Sequence, residues 1–156
     1  GNRESPLALE GWTLTQTEDQ KKLLDLSRTI ALQIGEAGRE FTGTIGELAT
    51  CHQFGYEWKP SVGYDAIDEN GRKIQIKSRK LWSSQNLKAG RIGKFGRKNK
   101  YCFDIGVLVL LDDKFEITDA WELDWDSIQR LELNEKSGRG LHVSKFLNNA
   151  TRKLLH

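Results

Sequence analysis

The stretch from Tyr64 to Lys77, YDAIDENGRKIQIK, constrains the fold more than any other part of the chain. Two β-prone arms flank Glu69-Asn70-Gly71, and Asn-Gly is a strong hairpin turn signal. Loop length then sets the register. A two-residue loop at Asn70-Gly71 pairs Asp65 with Ile76, whereas a three-residue loop with Gly71 in the left-handed conformation pairs Asp65 with Gln75. Only the second gathers Tyr64, Ala66, Ile74 and Ile76 on one face, and register follows the buried face. The pattern therefore predicts the three-residue loop, with Asp65, Gln75 and Lys77 together on the opposite face.

A carboxylate, an amide oxygen and an ammonium on one patch of sheet suit a divalent cation and a phosphate. Magnesium takes oxygen ligands and keeps several waters. Cleaving a phosphodiester needs a metal beside the scissile phosphate, a group that orients or deprotonates water, and positive charge for the developing negative charge. Asp65 offers the carboxylate ligand, Gln75 a neutral oxygen, and Lys77 a hold on the water or the phosphate oxygens. Glu47, on the preceding predicted helix, is the candidate second carboxylate, against the plainer reading of a solvated helix residue. Mg²⁺ is the expected cofactor, with Mn²⁺ as a substitute.

The charge distribution points the same way. The net charge is +2, yet the 34 residues from Asn70 to Phe103 carry 11 basic residues and no acid. The rest of the chain has 13 basic against 22 acidic residues, a net −9. One strongly positive segment in an otherwise acidic chain predicts a polyanion partner rather than a merely solvated surface. Within it, residues 83–100 form a basic, Gly-rich loop in which Gly90, Gly93 and Gly96 recur every three residues. Glycine lets backbone approach phosphates, and the cations supply affinity. Arg79, Lys80, Lys88, Arg91, Lys94, Arg97, Lys98 and Lys100 are the expected DNA contacts. Trp82, Phe95 and Tyr101 are expected to anchor this loop rather than stack on bases.

Around this centre, residues 1–16 read as an extended lead-in, lacking helical periodicity. Thr17 to Gln20 matches a capping box, and a helix to about Ala37 follows, with Leu23, Leu26, Ile30 and Ile34 as its apolar stripe. A second helix ends at Gly55 and carries Ile45, Leu48, Ala49 and His52 on one face. Phe103 to Leu111 is nearly continuously apolar, the mark of a central strand covered on both faces. A partnered antiparallel strand from Phe115 to Leu123 follows, then a short helix capped by Asp124 or Asp126, then a last helix over about Ser144 to Leu155. The order predicts a single α/β domain over residues 1–156, a central mixed β-sheet flanked by helices.

Composition sets the outer limits. An apolar fraction of 37% and a charged fraction of 29% suit a globular protein, and no apolar run approaches the roughly 18 residues of a membrane span. Cys51 and Cys102 do not make a disulfide framework and are expected in the core. With no signal-peptide pattern at the N-terminus, a cytoplasmic setting is expected.

Asp65 followed by Gln75-x-Lys77 on the next strand, with apolar residues between, resembles the PD-(D/E)XK nuclease superfamily. The Ile74-Gln75-Ile76-Lys77 version is similar to the Gln variant of Mrr-like restriction endonucleases, and Gly46-Glu47-Leu48-Ala49 resembles the preceding helix from which some members draw a ligand. Two positions depart from the pattern: Tyr64 stands where Pro precedes the first acid, and Gln75 replaces the second acid. The resemblance covers about half the chain. It implies a restriction-endonuclease-like αβββαβ core and a Mg²⁺-dependent DNA endonuclease with Asp65, Gln75, Lys77 and Glu47 at its centre. Double-strand cutting by so small a domain implies a two-fold homodimer on duplex DNA. A Holliday-junction or other structure-specific nuclease, and a non-catalytic DNA-binding module with a decayed site, are the alternatives.

Overall fold

The computed structural model describes residues 17–61, 63–80, 90–95 and 102–153. The expected lead-in over 1–16 and most of the basic loop lie outside these residues. Six strands form one mixed sheet: β1 (Glu57–Ser61), β2 (Tyr64–Ile67), β3 (Lys73–Lys80), β4 (Ile105–Leu111), β5 (Ile117–Asp124) and β6 (Thr151–Lys153). Their spatial order follows the chain, and every step is antiparallel except β3 to β4, which is parallel. A parallel step needs a long crossover, usually a helix. The described parts of this crossover, residues 90–95 and 102–104, are not helical, and residues 90–95 run as a strap across one face of the sheet.

The hairpin adopts the predicted register, and Ala66, Ile74 and Ile76 share one core as expected, but Tyr64 does not join them: it packs with the other core cluster, its ring 5.4 Å from the Lys73 ammonium. Ala66 pairs with Ile74 and Ile67 with Lys73, and the ladder ends there, one residue short of Asp65 and Gln75. Asp68 and Arg72 close the loop through Asp68 N–H to the Arg72 carbonyl at 3.0 Å, and Gly71 takes φ +81°. The Asp68 carboxylate secures the turn by accepting from the Asn70 and Arg72 amides and from the Arg72 guanidinium.

Strand β4 lies between β3 and β5 and is buried on both faces, as its composition demands. Val107, Val109 and Leu111 join one core with α1 (Thr17–Ile34) and α2 (Thr42–Phe54). Leu108 joins the other with α3 (Trp125–Leu133), α4 (Val143–Asn149) and the strap residues Ile92 and Phe95. Three phenylalanines, Phe103, Phe115 and Phe146, are fully enclosed. Each such side chain contributes about 1.5–3 kcal/mol of burial.

Two sequence expectations are corrected here. The buried face of α1 runs through Gln20, Leu24 and Ala31, while Leu26, Ile30 and Ile34 are exposed. Gln20 decides this: its amide donates to the Tyr56 carbonyl at 3.2 Å and its oxygen accepts from Trp58 N–H at 2.8 Å. That clasp on β1 fixes the helix rotation and takes Gln20 away from the expected capping box. A short 3₁₀ segment, Gly35–Phe41, then leads into α2. At the other end, the last helix stops at Asn149 and the chain becomes edge strand β6. There Arg152 pairs with Asp119 at 2.5 Å and Lys153 with Glu122 at 3.2 Å across β5, partners that helical periodicity cannot show. By contrast, Asp124 caps α3 as expected, accepting from Ser127 N–H at 3.0 Å.

Candidate functional site

The site lies where β2 and β3 part. Beyond the Ala66–Ile74 pair the ladder does not continue. Instead the Asp65 carboxylate accepts the Ile76 N–H at 2.8 Å, an amide that a continued ladder would give to the main chain of Tyr64. Asp65 is thereby held at the fork, half-buried, against the Gln75–Ile76 peptide, and Gln75 and Lys77 share one face of β3. Ile74 and Ile76 fill the other face as core.

Glu47, on α2, lies close enough to feel the charges of Asp65 and Lys77. Gly46 lets the helix settle on β3, because a side chain there would collide with Ser78. Glu47 accepts a hydrogen bond from Trp58 Nε1 at 3.0 Å. Its carboxyl is pushed up to about 7, first by burial and then by the charge of Asp65; the Trp58 bond and the Lys77 charge pull against this. Asp65 is raised as well, by burial, and opposed by the Ile76 amide and Lys77. The buried Cys51 thiol, one turn on from Glu47, is driven well above its ordinary range by burial and by both carboxylates. Glu47, Asp65 and Lys77 thus share one electrostatic neighbourhood, with two desolvated carboxyls beside one ammonium.

The Lys77 ammonium lies 5.8 Å from the centre of the Phe95 ring. Phe95 is enclosed, stacked on Phe146 at 5.5 Å and tilted against Phe103 at 5.9 Å, and its N–H donates to Glu132 at 2.7 Å. Phe95 therefore anchors the strap, as expected; Trp82 and Tyr101 lie outside the described residues. Gly106, paired with Gln75 across β3 and β4, leaves room for the ring, because a side chain there would run into Phe95 and Ile128.

Three of the expected DNA contacts are spent inside the protein. Arg79 donates through Nε at 3.1 Å and through Nη2 to the carbonyl of Arg91, and through Nη1 to that of Ser78. It clips the strap to the end of β3, and burial lowers its guanidinium pKa. Lys80 is buried, with its ammonium 4.0 Å above the Phe115 ring. Arg91 donates to the Gly140 carbonyl at 2.8 Å and pairs with Glu135 at 3.6 Å. Lys94 is exposed. Lys88, Arg97, Lys98 and Lys100 lie outside the described residues. His52 is exposed beside Glu18, Lys21 and Lys22, away from the apolar face assigned to it.

Sequence reasoning missed Trp58 and Glu132. Neither carries a local signal, because each acts on a residue far along the chain. Among the described residues, no group of three or more His, Cys, Asp and Glu side chains gathers. A cation at the fork would rest on Asp65, Glu47 and the neutral oxygen of Gln75. Two carboxyls whose charges repel each other in a desolvated site fit that role, since a cation relieves the cost of ionising both. No helix among the described residues is long and apolar enough to cross a membrane.

Compared with protein-family models and with curated protein sequences, the chain matches none.

Proposed function

We propose that this chain is a metal-dependent phosphodiesterase acting on duplex DNA, an endonuclease of the restriction type with a PD-(D/E)XK-like core. One observation carries the reading: the Asp65 carboxylate is bonded to the Ile76 amide, between Gln75 and Lys77 of β3, and its charge helps to push the Glu47 carboxyl of α2 up to about 7. The topology supports it. A helix leads into an antiparallel β1–β2–β3 meander, and a crossover leads to β4 parallel to β3, the order expected of the αβββαβ core apart from a helix in the described part of the crossover.

Asp65 and Glu47, with the Gln75 oxygen, would hold Mg²⁺ or Mn²⁺. A divalent ion there supplies charge neutralisation at the phosphate and a bound water of lowered pKa. The chain's own groups do the rest. The Ile76 amide fixes one Asp65 oxygen, Trp58 fixes one Glu47 oxygen, and the Phe95 ring supports the Lys77 ammonium. Lys77 holds a phosphate oxygen or the attacking water and offsets the negative charge that grows as the phosphorus–oxygen bond breaks. Cutting both strands requires two such sites related by two-fold symmetry, so the active species is a homodimer.

The test is incubation of the purified chain with supercoiled plasmid, with and without Mg²⁺ or Mn²⁺. Nicked and linear products that need the metal and vanish in Asp65→Ala are expected. Metal-independent or absent cleavage on linear, supercoiled and junction DNA sinks the reading.

A further inference from the structure

We propose that Gly93 is the port through which a phosphodiester reaches the Lys77 ammonium, and that its missing side chain sets how closely the substrate backbone approaches. Three glycines surround this part of the site. Two have evident structural reasons. A side chain on Gly106 would strike Phe95 and Ile128, and one on Gly140 would strike the Ile92 carbonyl, where the backbone also has φ +89°. Gly93 has neither reason. Its φ lies outside the left-handed region, so an L-residue is tolerated there. Among the described residues, a Cβ at Gly93 would meet one atom within 4 Å, Lys77 Nζ at 3.5 Å, an ordinary contact. Among the described residues, a side chain would therefore meet nothing but the ammonium.

The strap is held on both sides of Gly93. Gly93 and Lys94 are exposed, while Ile92 and Phe95 on either side are buried. Ile92 N–H donates to the Leu141 carbonyl at 2.8 Å, Val143 N–H donates to the Gly90 carbonyl at 2.8 Å, and Phe95 N–H donates to Glu132. Arg79 grips the strap from β3. The strap cannot swing aside for a ligand without breaking these bonds, so whatever reaches Lys77 from this side passes over Gly93. A phosphodiester suits Gly93 by charge, with the half-buried Lys77 ammonium on one side and the exposed Lys94 next along the strap. Bare backbone is what close approach of a phosphate requires.

This inference rests on the reading of Lys77 as a phosphate-side group, and its test separates the two. Gly93→Val and Gly93→Ala are compared with wild type and Lys77→Ala. The readouts are binding of a short DNA duplex, acetylation of Lys77 by mass spectrometry with and without that duplex, and plasmid cleavage with Mg²⁺. Thermal unfolding checks the fold, and Gly93→Ala, which adds only an ordinary contact, serves if the valine variant does not fold. In wild type the duplex should slow acetylation of Lys77. Gly93→Val should lose that protection and about 100-fold in cleavage while still binding duplex, because displacing a reacting phosphate by about an ångström costs that much; the alanine variant should fall between. If wild type cleaves, Lys77→Ala does not, and both Gly93 variants match wild type in cleavage and protection, the port is overturned and the nuclease reading stands. If wild type cleaves nothing but the duplex protects Lys77 in wild type and not in Gly93→Val, the port stands and the nuclease reading falls. If the duplex protects Lys77 in no variant, the port is overturned whatever the cleavage result.

Discussion

Replacing Glu47 by Gln should make the metal-free protein more stable at pH 8 and leave it unchanged near pH 4.5. The Glu47 carboxyl is pushed up to about 7 from an ordinary 4.5, mainly by burial and then by Asp65. Between these values the folded chain holds a proton that the unfolded chain has released. Wild-type stability therefore falls as pH rises through this window and levels off above it. The full displacement corresponds to about 3 kcal/mol. Gln keeps the Trp58 hydrogen bond acceptor and the shape but does not titrate. The gap between Glu47→Gln and wild type should open from nothing to about 3 kcal/mol, or about 1.5 M in urea midpoint for a slope of about 2 kcal/mol/M. Added Mg²⁺ should narrow the gap above pH 7 by stabilising the ionised wild type, with less effect on the variant. Asp65→Asn should also shrink it, by removing the charge that is the second cause of the shift. Urea titrations at half-unit steps from pH 4.5 to 8.5 supply the test. A gap that stays constant over this range means Glu47 ionises like a surface carboxylate and is not packed against Asp65.

Three further outcomes are expected. Asp65→Ala and Lys77→Ala should each abolish plasmid cleavage while gel-shift affinity for duplex DNA persists, and full cleavage by both would place the chemistry elsewhere. Gln75→Glu restores a second acid at nearly constant size and should tighten Mg²⁺ or Mn²⁺ binding in a calorimetric titration; unchanged affinity would remove Gln75 from the ligand set. Arg79→Ala should cost about 2 kcal/mol of stability in chemical denaturation, because it leaves the Arg91 carbonyl unpaired, whereas Lys94→Ala should leave stability alone and flatten the salt dependence of DNA binding by about one phosphate contact.

The hairpin was legible in the sequence because all its determinants are local. Asn70-Gly71 and the alternation of Ala66, Ile74 and Ile76 allow one register in which the core face is apolar, and that register is the one formed. The central position of β4 was legible for a similar reason, since an unbroken apolar run is stable only when both faces are covered. Helix α1 was not. Its Leu26–Ile30–Ile34 stripe has the spacing of a buried face, yet one glutamine bonded to β1 turns that stripe outward. A polar side chain acting as the anchor of a helix leaves no mark in hydropathy.

The same distinction runs through the site. Gln75 and Lys77 could be grouped because strand alternation alone puts them on one face of β3, whereas Asp65 is held beside them by a side-chain bond to the Ile76 amide that alternation does not show. Glu47 could only be nominated, since its place depends on Gly46 meeting Ser78 some thirty residues along the chain. The basic segment was misread in part because charge in a sequence says nothing of what the charge faces. Arg79 and Arg91 look like two more cations for a polyanion, but each ends on a main-chain carbonyl, and together they tie the strap to the sheet and to the loop before α4. Their contribution to any DNA contact is therefore indirect. They hold Gly93 beside the Lys77 ammonium, so under the proposed function losing either should act on cleavage through the placement of that lysine rather than through electrostatic attraction.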